Sequence, residues 1–282
     1  MTRLAEIERH IGNMHELLDL VGAMRSLAGM RMQEAQRTLP SVRLYAEALA
    51  SAIADTLLLI PESVPPRCNW RERLALVLCT GEHGFVGGFN ERLVDAAEAA
   101  ITTGDLLFVL GSRGAVRLYE RGRPAIWSYA MATRCSSAPE MVRHLTDELY
   151  RRIALGEIGR VEVIYARYRQ GSPSTVERRP LLPLTTAPFS ARRLHQPPLH
   201  NLDPVTLHER LMGEYVFALL TEATVESIAS ENAARFAAME SAHDNVSKKL
   251  DRLQQEAHQA RQAEITTELI ELAAGVEAQS SK

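Results

Sequence analysis

Apolar residues at alternating spacings of three and four run through the first forty positions: Leu4, Ile7, Ile11, Met14, Leu18, Val21, Ala28, Met32, Ala35 and Leu39. Only Arg25 breaks the series. That is a heptad seam with both core positions filled over about five heptads, which predicts one long helix from Thr2 to about Leu59 with a partner along its length. Pro40 is expected to bend or loosen it, since proline removes a backbone donor and crowds the preceding turn. The pattern is expected to resume at Leu44, Ala48 and Ala52, and Pro61, Pro65 and Pro66 to end the element. A matching seam stands near the other terminus: Val225, Ala229, Asn232, Phe236, Met239, His243, Val246, Leu250, Leu253, Ala257 and Ala260. Asn232 and His243 are its polar interruptions, of the kind that fix register at some loss of stability. Asp203 supplies a helix cap and Pro204 a first-turn proline, so this second helix reads as about Pro204 to Ala278. At 1.5 Å per residue it would reach roughly 110 Å, too long for one compact globule.

Between the seams, residues 70–200 have a different texture. LALVLC (Leu74–Cys79) and LLFVLG (Leu106–Gly111) are continuous apolar runs of the kind buried on both faces of a sheet. Helical patterns at Glu91–Ile101, Arg113–Tyr119 and Pro139–Leu155 alternate with strands near Ala125–Tyr129, Val161–Arg169 and Ser174–Leu182, the last two joined by a turn at Gln170–Pro173. Alternation of this sort implies a small open α/β sheet with crossover helices. Pro188–Pro198 is rich in Pro and Arg and reads as irregular. The expected fold is therefore α/β: a long antiparallel coiled coil of the N-terminal helix (1–60) and the C-terminal helix (204–278), left-handed because the repeat is 3.5, with a Rossmann-like α/β domain (70–200) inserted.

Composition narrows function by exclusion. A net charge of −3 over 282 residues lacks the basic excess of a general nucleic-acid binder. Cys68, Cys79 and Cys135 form neither a CxxC pair nor an even framework, which fits a reducing compartment and no Cys/His metal site. The opening MTRLAEIERH carries charges where a signal peptide needs an apolar core, and no apolar stretch is long enough to span a bilayer, so a membrane link is expected only through partners. The loop from Thr80 to Asn90, TGEHGFVGGFN, lies where an α/β protein binds phosphate, but its glycines do not make GxGxxG, and the only lysines are Lys248, Lys249 and Lys282, which excludes a Walker lysine. A tight strand-to-helix turn is expected instead, with Asn90 capping the helix and Glu82 and His83 as exposed loop residues. The histidines at 10, 15, 208, 243 and 258 sit on helical faces with no HExxH spacing. Arg3, Arg9, Arg25, Arg31, Arg37 and Arg43 recur along the first helix, either as a solvated face or as a track for an acidic partner.

Four stretches carry a family resemblance. Ala23-Met-Arg-Ser-Leu-Ala28 resembles an AM-x-MVA run, Thr80–Asn90 resembles TSDRGLCGGFN, Ala229–Glu240 (ASENAARFAAME) resembles ASE-x-AARM-x-AM, and Ala260–Gly275 (ARQAEITTELIELAAG) is similar to ARQ-x-xIT-x-E-x-x-E-x-x-x-G. These are motifs of the gamma subunit of F-type ATP synthases, in the family's order and spacing. The segment Met14–Met24 is more acidic and apolar than the family's Lys-rich NTQKITKAM, the loop reads Gly81-Glu82-His83 for SDR, and Val276 follows the signature glycine; these suggest a divergent member. The resemblance implies a rotor shaft without a catalytic site or cofactor, coupling proton- or sodium-driven rotation of a membrane c ring to ATP chemistry on an alpha3beta3 hexamer, at the cytoplasmic face of the cell membrane. It implies contacts to beta subunits through Met24, Arg25, Arg261, Gln262, Thr266, Thr267 and Glu268. Contacts to the c ring and the epsilon subunit are expected through His200, Asn201, Leu202 and Asp203. As the one polar residue in its seam, Arg25 must find a carboxylate or reach out of the seam; a Glu of the C-terminal helix would serve as well as a partner subunit. The Arg261–Glu268 stretch is expected where the first helix has run out. A nucleotide-binding α/β enzyme with helical arms and a coiled-coil scaffold are the alternatives.

Overall fold

The computed structural model describes residues 3–57, 59–60, 73–169, 171–184 and 199–280, with side chains as far as Ile270. Cys68, the prolines at 61, 65 and 66, and the Pro188–Pro198 stretch lie outside the described residues. The elements are α1 (Arg3–Leu57), β1 (Leu74–Cys79), α2 (Phe89–Ala100), β2 (Leu106–Leu110), α3 (Ser112–Glu120), β3 (Trp127–Tyr129), α4 (Ala138–Ala154), β4 (Arg160–Arg169), β5 (Ser172–Leu182) and α5 (Pro204–Ser280). The chain divides into two units, Ala28–Arg235 and the pair Met1–Leu27 with Phe236–Lys282.

The larger unit is built on a five-stranded sheet of order β3-β2-β1-β4-β5, parallel except for β5, which runs antiparallel to β4. Strand β1 is central and every one of its residues is buried. Its side chains alternate between two cores, as a pleated strand requires. Ala75, Val77 and Cys79 join Phe108, Leu110, Val163 and Tyr165 beneath α4 and the buried sides of α1 and α5. Leu74, Leu76 and Leu78 join Leu107, Val109 and Ile164 beneath Phe89, Leu93 and Val94 of α2 and Leu118 of α3. Three layers result, mostly helical by residue count and organised by the sheet. At the outer edge, β5 carries Pro173 and Pro180, and Pro180 sits opposite Glu162 beside a register irregularity; proline is tolerated there because an edge strand has donors it need not use. The other edge, β3, is shorter than the expected Ala125–Tyr129.

Helix α1 keeps the three-four spacing further than the sequence reading allowed. In the larger unit Ala28, Ala35 and Leu39 are buried, and the series continues through half-buried Val42 to buried Ala46, Leu49, Ile53 and Thr56. The expected resumption at Leu44, Ala48 and Ala52 is wrong: Leu44 is 66% exposed and Ala48 is exposed. Pro40 lies on the exposed side, inside an uninterrupted helix. Water can satisfy the carbonyl that lost its donor there, so proline leaves the register of the buried side unchanged. Within the smaller unit Leu4, Ile7, Ile11, Met14, Leu18 and Val21 are each less exposed than their neighbours outside the series, Arg25 is half-buried, and on α5 Met239, Leu250 and Leu253 are buried. Phe236 of the second seam is exposed. Pairing of Arg25 with Glu240 and of Arg261 with Glu8 makes α1 and α5 antiparallel there.

In the larger unit α5 is buried on every side from Ala218 to Asn232. A helix buried all round is normally apolar all round, yet this stretch holds Glu222, Glu226 and Glu231. Arg43 of α1 donates from Nε to Glu222 (3.0 Å) and from Nη2 to Glu226, and Arg179 of β5 donates to the second Glu222 oxygen at 2.7 Å. The backbone N–H of Tyr168 donates to Glu226 at 3.0 Å. Burial alone would raise the Glu222 carboxyl, but the bonds from Arg179 and Arg43 hold it below the ordinary carboxylate range. For Glu226 burial wins and the carboxyl is raised, against the pull of Tyr168 and Arg43. Two buried serine hydroxyls of this stretch find backbone: Ser227 donates to Cys79 O (3.3 Å) and Ser230 to Ala166 O (2.9 Å).

Two consequences are measurable. Pro40→Ala restores a helix donor on an exposed face without touching the buried register, and it should raise stability by about 1–3 kcal/mol in urea unfolding. Glu222→Gln should lower stability at pH 7 by about 2 kcal/mol, the scale of hydrogen bonds to a charged group. Because the folded carboxyl of Glu222 lies below its unfolded value, its contribution is present above the ordinary carboxylate range and is lost as pH falls through the folded value. The difference between Glu222→Gln and the parent chain should therefore shrink on acidification from pH 7 to pH 4; an unchanged gap would refute the pairing.

Candidate functional site

The loop after β1 shows how the chain builds its most constrained corner. Thr80 ends the strand, donating from Oγ1 to Leu110 O at 2.8 Å and from its backbone N–H to the same carbonyl at 2.7 Å. Thr80 leaves no room opposite: a Cβ at Gly111, whose φ is +104°, would lie 2.5 Å from Thr80 O, and one at Gly114 would lie 2.3 Å from Thr80 Oγ1. Glycine is therefore required at both positions, and at Gly111 the left-handed φ requires it independently. The loop then turns through Phe85, a non-glycine residue at φ +61°, and Gly87 at φ +55°.

Asn90 does not cap α2. Gly88 holds the cap position and Asn90 lies in the first turn, where its Oδ1 accepts the N–H of Gly81 at 2.8 Å. Glu82 is not a free loop residue either. Its carboxylate accepts the N–H of Ser112 (3.1 Å), at the start of α3, and that of Met131 (2.9 Å); a carboxylate at a helix N-terminus is favoured by the helix dipole. His83 is exposed, as expected.

From the other side α5 closes on the loop. Arg235 pairs with Glu231 and donates to Asn232 Oδ1 (3.1 Å), Gly84 O (3.4 Å) and His83 O (3.4 Å). A Cβ at Gly81 would lie 3.1 Å from the Glu231 carboxyl carbon and 3.2 Å from Asn90 Oδ1. Burial raises the Glu231 carboxyl, with Arg235 opposing it. The inner face of the loop is thus filled by the chain's own carboxylates and an amide, which would repel a phosphate. On the outer face a cleft is lined by Gly84, Phe85, Gly87, Arg113, Val116 and Arg117, and Arg117 is already paired with Glu91 (3.0 Å) and Glu120 (3.3 Å). The geometry is that of a structural joint.

The contact residues expected from the sequence fall at separate places. Met24 is half-buried and Arg25 donates to Glu240 at 3.1 Å, the intramolecular pairing weighed from the seam. Arg261 donates to Glu8 at 2.7 Å, so the first helix has not run out at that level, contrary to expectation. Gln262 and Glu268 are exposed, and Thr266 and Thr267 bond back to Gln262 O and Ala263 O within α5. The Arg25 and Arg261 sets are separated by roughly 26 Å along α1, at 1.5 Å per residue between Glu8 and Arg25. They cannot form one site. In the larger unit His200 Nδ1 lies 2.8 Å from Leu202 O, and Asp203 caps α5 by accepting the Thr206 N–H at 3.2 Å, as the sequence predicted. Asn201 and Leu202 are exposed. Among the described residues no group of three His, Cys, Asp or Glu side chains is placed to hold a metal, and no helix is long and apolar enough to cross a membrane. Cys79 and Cys135 are buried and unpaired, and burial pushes the Cys79 thiol up to about 12.

Sequence reasoning missed the joint between α5 and the loop. Its signal was present as two motif stretches, Thr80–Asn90 and Ala229–Glu240, which were read apart and which the fold brings together.

Comparison with known proteins agrees with this architecture. The family model described as ATP synthase matches residues 3–279. The ATP synthase gamma chain of Gloeothece citriformis is 30% identical, over 99% of this chain and 100% of the relative, and that of Chlorobaculum tepidum is 26% identical over 99% of each. Among solved structures, the central stalk and c-ring of the Tetrahymena thermophila mitochondrial ATP synthase contains a chain that superposes with a TM-score of 0.57 at 19% identity, over 79% of this chain and 99% of that one. A chain of the Euglena gracilis mitochondrial ATP synthase gives 0.54 at 13% identity, over 92% and 95%. At these identities the structures speak for the fold, whereas the family model and the named relatives span nearly the whole sequence, and on that ground the chain belongs to the gamma-chain family of ATP synthases.

Proposed function

We propose that this chain is the central rotor shaft of an ion-translocating ATP synthase. As a gamma chain it is a non-catalytic subunit. On this reading, rotation of a membrane c ring driven by protons or sodium ions turns the shaft inside an alpha3beta3 hexamer, where ATP is made or hydrolysed. The observation that carries it is the seam of α1, which holds its three-four register from Leu4 to Thr56 through a proline while α5 lies antiparallel to it. A shaft turning inside a ring of stator subunits must be slender and resistant to twist, and an antiparallel coiled coil supplies both. It must also present a different face to each of three identical catalytic sites. Each site's conformational equilibrium is then biased by the contacts it meets, which is coupling by population shift.

The sheet domain, Rossmann-like in its alternation of parallel strands and helices, is the foot of the shaft on this reading. It would seat the epsilon subunit and the c ring, with His200, Asn201, Leu202 and Asp203 at the entry to α5 as contacts, and hold the chain peripherally at the cytoplasmic face of the cell membrane. The Tetrahymena neighbour, a central stalk solved with its c-ring, favours that seat. Met24, Arg25, Arg261, Gln262, Thr266, Thr267 and Glu268 would meet beta subunits. Arg25 and Arg261 would exchange their present carboxylates for those of the partner as the shaft turns. Exposed ion pairs contribute about 0.2–1 kcal/mol each, weak enough to be broken at every step. The nucleotide-enzyme reading is disfavoured by Glu231 and Glu82, which bring carboxylates to the Thr80–Asn90 loop, the stretch placed where an α/β protein would bind phosphate.

Two experiments test these assignments. The double variant Arg261→Ala with Glu268→Ala should leave the isolated chain folded, since the Arg261–Glu8 pair is exposed on both sides. Assembled with alpha and beta in a one-to-three-to-three complex, it should lose several-fold in multisite ATPase; rates equal to those of the parent complex would overturn the beta-contact assignment. Cysteines introduced at Leu202 or Asp203 should cross-link to the polar loop of a c subunit in the holoenzyme. Cross-links to the beta subunits instead would reverse the orientation.

A further inference from the structure

We propose that Arg235, paired with Glu231, is the positioning residue that locks the sheet to α5 in rotation, a joint for torque in which its guanidinium is shared between the helix and the loop after β1. The proposal rests on the shaft reading above and adds where, within this chain, the twisting force passes from foot to helix.

The joint is two-sided. Of the four acceptors of Arg235, Glu231 and Asn232 belong to α5, and His83 and Gly84 belong to the loop. Both members of the ion pair are buried, with 8% and 7% of their side chains exposed. The loop is itself tied into the sheet layer, through Gly81 to Asn90 of α2 and through Glu82 to Ser112 of α3 and to Met131 beyond β3. A continuous path of hydrogen bonds therefore runs from α5 through Arg235 and the loop to two helices and to the end of the sheet. Gly81 brings the loop close onto the helix, since a Cβ there would lie 3.1 Å from the Glu231 carboxyl carbon, tighter than an ordinary contact.

Position gives this joint its meaning. Before it, Ala218–Asn232 is buried on all sides, among apolar residues and the paired carboxylates Glu222 and Glu226; after it, Phe236 and Ala237 are exposed, so this is the last directional hold on the helix before it leaves the larger unit. Arg235 is the last residue of the larger unit. Apolar packing resists separation well, but it is non-directional, so a helix twisting about its own axis within a collar exchanges one set of contacts for another. Hydrogen bonds from a planar guanidinium fork fail when their direction changes, and they oppose that twist. Nothing in an ordinary pairing of residues four apart on one helix requires the loop carbonyls to turn toward it.

Arg235→Lys separates this role from simple folding, because lysine keeps the ion pair with Glu231 but lacks the fork that reaches two carbonyls. In the full-length chain, hydrogen exchange of the Gly81–Gly88 amides should accelerate tenfold or more, while the amides of β1 and β2 keep their rates. Glu231→Gln, which retains the carbonyl bonds, should change loop exchange less than threefold. In a complex assembled with alpha and beta, a bead attached at exposed Ser128 of β3 should show at least a twofold larger angular variance during ATP-waiting pauses in Arg235→Lys than in the parent. Loop exchange at the parental rate, equal acceleration throughout the sheet, or an unchanged bead variance would each overturn the joint. A parent complex whose bead never turns under ATP would instead sink the shaft reading and the torque role with it, and the exchange result would then report only whether Arg235 holds the loop.

Discussion

Four turns of α5 lie buried on all sides while carrying three carboxylates, and the rest of the larger unit is arranged to make that possible. A buried carboxylate without a partner is strongly unfavourable. Glu222 and Glu226, four residues apart, present their charges on one side of the helix, and Arg43 spans both. Arg179 reaches Glu222 from the outermost strand, so the antiparallel hairpin β4–β5 supplies more than sheet: it brings a cation to the core. Glu231, one turn beyond, has Arg235. The three carboxylates thus fix α5 against α1, against the hairpin and against the glycine loop, while the apolar residues between them fill the collar. An all-leucine helix could be equally stable and would have no preferred rotational setting within that collar.

Much of this was legible in the sequence, because the features that set it are local and periodic. The seam of α1, the two apolar strands, the hairpin and the Asp203–Pro204 start of α5 each announce themselves in a few residues. What was missed depended on distance. The expected resumption at Leu44 gets the phase of the seam beyond Pro40 wrong because proline interrupts only the hydrogen bonding; on an exposed face the helix goes on counting. Asn90 was read as a cap from its place before a helical pattern, but its partner, Gly81, is fixed by how the loop folds back. The extent of the helix pairing near Arg261 was misjudged because the seam residues thin to Ala257 and Ala260, and no sequence pattern shows that Glu8 stands opposite.

The candidate sites follow the same division. Motif resemblance singles out Arg25 and Arg261 as contacts to beta subunits; in the chain alone both are engaged by glutamates of the opposite helix. These pairs keep the charged groups organised while they remain exposed enough to be traded. The loop–helix joint, in contrast, was invisible residue by residue: Gly81, Glu231 and Arg235 each have an unremarkable local reading, and only their convergence gives the arrangement its chemistry.

The two prolines of β5 bear on a different hazard. An open sheet offers its outermost strand as a template to a second copy of the same chain. Pro173 and Pro180 remove donors from that border, and Arg178 and Glu177 add charge along it. An incoming strand from a second copy would find an interrupted ladder and an electrostatic mismatch. The same border that delivers Arg179 inward is therefore poorly suited to pairing outward with a second copy.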